Sequence, residues 1–155
     1  VVGNLAGETT YTFDVKARNA DLVETAFGAT ASGTTLSANA PILTLVSSDL
    51  TFGSVCINTQ EIGSFVFEGA NLSGADLQIA AVSGYAFSTS PTGPFTPTLT
   101  VTYSGNTVTG QTIYVAFQPT TVGAFNATIT VSGAGAALPL SIPATGSGIN
   151  TPASV

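Results

Sequence analysis

Side chains that could catalyse a reaction are few in this chain, and most of them are carboxylates. Eight Asp and Glu residues accompany two Lys and Arg residues and no His. The carboxylates are Glu8, Asp14, Asp21, Glu24, Asp49, Glu61, Glu68 and Asp76. Without histidine, neither a Ser-His-Asp nor a Cys-His arrangement can form, and a Ser/Lys pair would have to use Lys16. No two carboxylates have a spacing that predicts the facing pair of a glycosidase. The sequence therefore predicts no catalytic residue, no cofactor and no enzyme.

Two polar segments contain oxygen ligands of the kind that calcium prefers, residues 71–76 and residues 21–24. The sequence has no EF-hand loop or Asp-rich repeat, and ordinary surface turns have the same composition. We predict no metal site, with calcium at one of these turns as the alternative. Cys56 is the single cysteine, so neither an intrachain disulfide nor a Cys/His metal cluster can form. We expect it to be a small buried residue; a reactive thiol or an interchain disulfide is the alternative.

Aromatic side chains could bind sugars by stacking against their rings. The candidates are Tyr85, Phe95, Tyr103 and Tyr114. Phe95 lies in the Pro- and Gly-rich segment SPTGPFTPT, so we expect it to be the most exposed of them and a possible ligand contact. The competing interpretation is structural, because most strand aromatics belong to a core and loop aromatics often hold the loop in place.

Charge is scarce and mostly acidic. Only 6% of residues are charged, the formal net charge is -6, and Lys16 and Arg18 are the only cations. These values argue against nucleic acid and anionic membrane surfaces as partners, because both need clustered Lys and Arg. No apolar run approaches the roughly 18 residues of a membrane span. Few Lys, Arg, Cys, Met and Trp residues suit a secreted protein that resists proteolysis and oxidation. The absence of an initiator Met and of a signal pattern predicts a mature or excised piece.

The clearest secondary-structure signal is residues 113–132, IYVAFQPTTVGAFNATITVS. Apolar and polar residues alternate on both sides of Pro119 and Gly123, which predicts two half-buried strands. We interpret them as a long hairpin whose apolar face is covered by a second sheet.

Short strands recur about every ten residues from Ile42 onward, a spacing typical of a β-sandwich, and no segment has a helical period. The predicted strands are 42–46, 50–55, 62–68, 77–82, 86–88, 99–103, 113–118, 125–131 and 138–142. The fold class is therefore all-β, with a complete antiparallel sandwich over residues 42–148. Residues 37–41 form a linker before it, and residues 149–155 form a linker or tail after it.

The N-terminal segment alternates from Tyr11 to Arg18, which predicts a strand with one dry and one charged face; a second strand is expected near residues 24–32. The pattern Leu5-x-Gly7-x-Thr9-x-Tyr11 resembles the approach to strand F of fibronectin type III domains. This resemblance implies that residues 1–36 are the last strands of such a domain, with Leu5 and Gly7 as structural positions. It also implies that Tyr11 is the tyrosine-corner residue. The missing strands would be upstream in the same chain or supplied by another chain.

The following 105 or so residues resemble the immunoglobulin-like, ASPM/SPD-2/Hydin-like repeats of large bacterial surface proteins secreted by the type IX system. The marks are LTFGSV at 50–55, SFVFEGANLSG at 64–74, GYAFSTS at 84–90, TIYVAFQP at 112–119, GAF at 123–125 and PATGSG at 143–148. The resemblance implies an immunoglobulin-like sandwich in which Phe52, Phe65, Phe117, Pro119 and Phe125 are structural.

Together these features predict a non-enzymatic, extracellular structural module of a secreted adhesin or filament, acting as a rigid spacer or assembly unit. Its expected partners are neighbouring domains or copies, and surface glycans, without nucleic acid or membrane insertion. The alternative is a carbohydrate-binding accessory module of a secreted hydrolase.

Overall fold

The computed structural model describes residues 5–35, 37 and 39–150. The chain divides into two compact units, Val1–Ala40 and Pro41–Val155, which we call the N-terminal unit and the sandwich. The described residues are all-β, without helix. The predicted fold class is therefore confirmed.

The described residues of the N-terminal unit form an antiparallel hairpin. Its strands are β1 (Thr10–Phe13) and β2 (Ala31–Thr34), and Thr10 pairs with Thr34. Beyond them the two arms stay joined by isolated backbone hydrogen bonds, for example from the Gly28 N–H to the Val15 carbonyl at 2.8 Å. The hydroxyl of Tyr11 accepts a hydrogen bond from the Ala6 N–H, upstream in the chain, at 2.9 Å.

The predicted dry face of this hairpin is not buried within the unit. Phe13 is 44% exposed and Val15 is 77% exposed. The regular strand also ends at Phe13, although the sequence alternates to Arg18. Two strands provide only one layer, so the face that alternation creates has nothing to pack against inside the unit.

Within its described residues, the sandwich contains ten strands. They are β3 (Ile42–Asp49), β4 (Thr51–Cys56), β5 (Glu61–Ala70), β6 (Leu77–Ile79), β7 (Tyr85–Ser88), β8 (Leu99–Val101), β9 (Val108–Phe117), β10 (Gly123–Ala124), β11 (Ala127–Ser132) and β12 (Leu140–Ile149).

The two sheets of the sandwich have an immunoglobulin-like order. One sheet is β3-β5-β9-β7; in the other, β12, β11, β6 and β8 are neighbours and β4 pairs with β12. With β3 as strand A, these are the A-B-E-D and G-F-C orders of an immunoglobulin fold. The predicted antiparallel character holds for every pair except β4 with β12, which is parallel. That exception arises because the chain changes sheets between Asp49 and Thr51 without reversing.

Residues 113–132 are not a hairpin. β9 pairs with β5 and β7, whereas β11 pairs with β12 and β6 in the opposite sheet. The intervening segment therefore crosses from one sheet to the other. Alternation correctly indicated which residues face inward, but it carries no information about which strand is the hydrogen-bonding partner.

An aromatic cluster fills one end of the core. The Phe117 ring lies 5.3 Å from Phe52, 5.2 Å from Tyr85 and 5.6 Å from Phe125, between ring centroids. Phe117 is fully buried, as are Phe65 and Pro119, while Phe125 is half-buried against the core.

The last strand is longer than the sequence indicated. β12 runs from Leu140 through Ile149, although only residues 138–142 were predicted as strand and 149 was assigned to a linker. Gly146 and Gly148 lie inside it because side chains there would collide: a Cβ at Gly148 would be 2.1 Å from the Thr121 carbonyl oxygen. Residues 151–155 of the predicted tail lie outside the described residues.

Candidate functional site

The outer face of the β3-β5-β9-β7 sheet contains an aromatic residue that the core does not use. Along β9, Ile113, Val115 and Phe117 are fully buried, so the alternate residue Tyr114 points outward. Tyr114 is half-buried and is absent from the residues that pack against the core. Its ring is therefore held at the surface of the sheet.

Phe95 belongs to the same outer face. The segment after β7 folds back beside it: the Phe87 N–H donates to the Thr96 carbonyl at 2.8 Å, and the Thr96 N–H donates to the Phe87 carbonyl at 2.9 Å. In this antiparallel register Phe95 lies opposite Ser88, and Ser88 lies opposite Tyr114 on its other side. The predicted ligand contact is half-buried, and it too is absent from the core.

Ser88 forms the floor between the two aromatic residues. It is only 3% exposed although it is on the outer face, and its Oγ accepts a hydrogen bond from the Ser90 N–H at 3.0 Å. Beside it, Ala86 and Ala116 face each other and are also buried. We call Phe95, Ser88 and Tyr114 the aromatic platform: two rings that flank a floor of small side chains.

The platform is uncharged. Across the sheet, Tyr114 is opposite Ser64, and Ser64 is opposite Asp49. The first carboxylate in this row is therefore two strands from the Tyr114 ring. Such a surface offers aromatic faces and hydroxyl groups.

The other two aromatic candidates are structural. The buried Tyr85 hydroxyl donates to the Phe125 carbonyl at 2.6 Å, and burial raises the pKa of this phenol above its ordinary value. Tyr103 packs against the core, and its hydroxyl donates to the Gly74 carbonyl at 3.4 Å. Neither ring is free to stack on a sugar.

The two predicted calcium alternatives are turns with partners of their own. In residues 71–76, the Leu72 N–H donates to Asn106 and the Ser73 N–H to Ala134. In residues 21–24, Glu24 pairs with Lys16, whose ammonium group lies 5.2 Å from the centre of the Phe27 ring. Across the described ranges, no three or more His, Cys, Asp and Glu side chains form a group that could hold a metal ion.

Cys56, expected to be buried, is a half-buried free thiol at the end of β4.

Comparison with known proteins identifies no family. No protein-family model matches the chain, and no curated protein matches it significantly. In the part of the chain that the structure describes, no helix is both long and apolar enough to cross a membrane.

Phe95 and Tyr114 were both predicted from the sequence as possible stacking residues. Their arrangement and the role of Ser88 were not predicted. That the run YAFS is buried on both faces of its strand is known only from the structure, so no sequence signal could have identified Ser88. The pairing of Phe87 with Thr96 has no local signature.

Proposed function

We propose that this chain is a non-enzymatic structural module of a large secreted bacterial adhesin or filament. Its sandwich acts as a rigid spacer that resists mechanical force. The observation that carries this proposal is that the chain enters and leaves the sandwich at opposite ends.

The strand register defines these two ends. Ile42, where the chain enters, pairs with Ala70 at the end of β5. Ile149, where β12 ends, pairs with Cys56, which a four-residue turn connects to Glu61 at the start of β5. β5 has ten residues, so the two ends are about 30 Å apart. A chain that passes through a domain in this way extends the parent protein by the length of the domain.

The parallel pair of β4 and β12 opposes force applied along this axis. β4 is near the start of the sandwich and β12 is at its end, so pulling draws the two strands past each other along their length. All of the bonds between them are then loaded together. These include the Thr145 N–H donating to the Leu50 carbonyl and the Ile57 N–H donating to the Ile149 carbonyl, both at 2.9 Å. Shearing many hydrogen bonds at once needs more force than opening them one by one.

The edge strands of both sheets have features that hinder pairing with other chains. β3 has a bulge at Val46, and β4 has one at Gly53, which adopts a φ of 63°. β8 is only three residues long, and β7 is bordered by the segment that contains Pro91, Pro94 and Pro97. Bulges, short edges and prolines are devices that prevent aggregation through edges. They replace the lysines that this sandwich lacks, and they favour a spacer over an assembly unit joined through sandwich edges.

Composition supports an extracellular location. Lys16 and Arg18 are in the N-terminal unit, so the sandwich has no site for a trypsin-like protease. Its single thiol is half-buried.

Force spectroscopy on a tandem array of the 155-residue chain tests this proposal. Each sandwich should unfold in one step that releases roughly 350 Å of extended chain, the length of residues 42–149 less the folded span. Thr145→Pro removes a donor from the sheared pair and should lower the unfolding force.

Val101→Ala is the matched control, because Val101 is a buried residue of β8, away from the sheared pair. It should lower stability with little effect on the unfolding force. Equal forces for wild type and Thr145→Pro, with Val101→Ala also unchanged, would contradict mechanical resistance by this pair.

A further inference from the structure

We propose that the aromatic platform binds a neutral oligosaccharide chain. This inference goes beyond the spacer role and does not depend on it, because it concerns the outer face of one sheet rather than the ends of the sandwich.

The spacing of the two rings suits an extended sugar chain. Phe95 and Tyr114 flank β7 on opposite sides, so their backbones are two strand spacings apart, about 10 Å. This distance accommodates two consecutive pyranose rings. The two side chains do not form an aromatic pair with each other, nor does either pair with another ring of the described residues. Both residues are half-buried, and the Phe95 ring lies so close to Gly93 of its own loop that a Cβ there would be 3.0 Å from it, so each ring has only part of its surface open to a ligand.

The residues between the two rings are small and closed to solvent. Ser88, Ala86 and Ala116 are almost inaccessible, while Phe95 and Tyr114 on either side remain partly exposed. A ligand on this face would therefore contact the two rings and not the small residues between them.

The side chains on this face of the sheet favour a neutral sugar over an anionic one. The C–H groups of a pyranose ring carry partial positive charge and stack on the negative face of an aromatic ring. Hydroxyl groups that could bind a sugar lie nearby on Thr112, Ser64 and Tyr114 itself. The sandwich has no Lys or Arg, whereas Asp49 and Glu68 lie on the same face. An anionic polysaccharide would be repelled.

The test is affinity electrophoresis of the full chain in native gels that contain one soluble polysaccharide each. The neutral probes are hydroxyethylcellulose, galactomannan, arabinoxylan and dextran; the anionic probe is polygalacturonate. We expect at least one neutral probe to retard the wild type and polygalacturonate not to. Phe95→Ala and Tyr114→Ala should each weaken the retarding interaction at least tenfold.

Phe27→Ala is the matched control, because Phe27 is an exposed aromatic residue outside the platform, and its removal should leave retardation unchanged. Circular dichroism establishes that each variant is folded. Tyr114→Phe, which keeps the ring, should retain most of the binding even if an alanine variant fails to fold. Titrating the wild type with the oligosaccharide of the retarding probe should shift the NMR amide signals of Ser88, Phe95 and Tyr114.

Three results would overturn the proposal: no neutral probe retards the wild type, both alanine variants bind as the wild type does, or the shifted signals lie elsewhere. None of them bears on the unfolding force, so failure here is distinguishable from failure of the spacer proposal.

Discussion

Removing the Phe117 side chain should destabilise the sandwich more than almost any other single truncation. Its ring is fully buried and contacts rings from three other segments: Phe52 in β4, Tyr85 in β7 and Phe125 in the crossing between the sheets. Phe117→Ala would therefore remove a contact that joins both sheets at this end of the core.

The expected loss can be worked from two terms. Returning a buried aromatic side chain to water costs roughly 2–3 kcal/mol. The space left behind is on the order of 80 Å³, which adds about 2 kcal/mol at 24 cal/mol per Å³ if the walls do not collapse. Collapse is restricted, because Tyr85 is tied to the Phe125 carbonyl by a hydrogen bond of 2.6 Å. We expect the free energy of unfolding to fall by about 4 kcal/mol, a large fraction of the 5–15 kcal/mol typical of a domain.

The assay is a urea titration of the full chain, followed by the NMR amide signals of β9 and β11 so that the N-terminal unit does not contribute. Leu138→Ala is the control, because Leu138 is 74% exposed and its loss should cost less than about 0.5 kcal/mol. A loss below about 2 kcal/mol for Phe117→Ala would show that the aromatic cluster does not join the two sheets as described.

Two further substitutions test the same end of the sandwich. Gly148→Ala should lower the free energy of unfolding by about 1–3 kcal/mol, because the new Cβ would be 2.1 Å from the Thr121 carbonyl oxygen. The control in the same urea titration is Ser141→Ala, which lies on the exposed side of β12. Tyr85→Phe should cost about 1–2 kcal/mol, because it leaves the Phe125 carbonyl without its donor. Burial raises the pKa of Tyr85, so above its ordinary value of 10.0 the unfolded chain loses a proton that the folded chain keeps, and stability falls as pH rises. Urea titrations between pH 8 and 11 should therefore show a smaller loss of stability at high pH in Tyr85→Phe than in the wild type. An identical loss in both proteins would show that Tyr85 does not cause it.

The sequence was informative wherever burial repeats with a period of two. Ile42 and Leu99 begin strands as predicted, and Phe65 and Phe117 face inward, because a half-buried strand must alternate. Partner choice was not predictable in this way: β9 and β11 alternate equally well whether they pair with each other or lie in opposite sheets.

The extent of β12 was missed for a different physical reason. Pro143, Gly146 and Gly148 read as breakers of a strand. In the folded protein Gly146 is needed because a Cβ there would be 2.7 Å from the Phe117 ring. These glycines are needed because residues distant in the sequence pack closely against them. A single sequence does not distinguish such glycines from those of a loop.

The candidate site was also only partly predictable: the sequence indicated its aromatic residues but not their arrangement. Composition and turn residues singled out Phe95 and included Tyr114 among the possible stacking residues. Their placement on either side of Ser88 depends on the pairing of Phe87 with Thr96 and of Ser88 with Tyr114. Ser88 and Tyr114 are distant in the sequence, and only the folded chain brings them together.

The central claim, that the sandwich is a self-contained spacer with protected edges, is tested most directly by hydrogen exchange combined with light scattering. The 155-residue chain would be measured over a hundredfold range of concentration. The account predicts a monomer whose β5, β9, β11 and β12 amides exchange slowly at every concentration, with no added protection in the edge strands β3 and β4. Association that slows exchange in β3 or β4 as concentration rises would contradict it, and would make the sandwich an assembly unit that pairs through its edges.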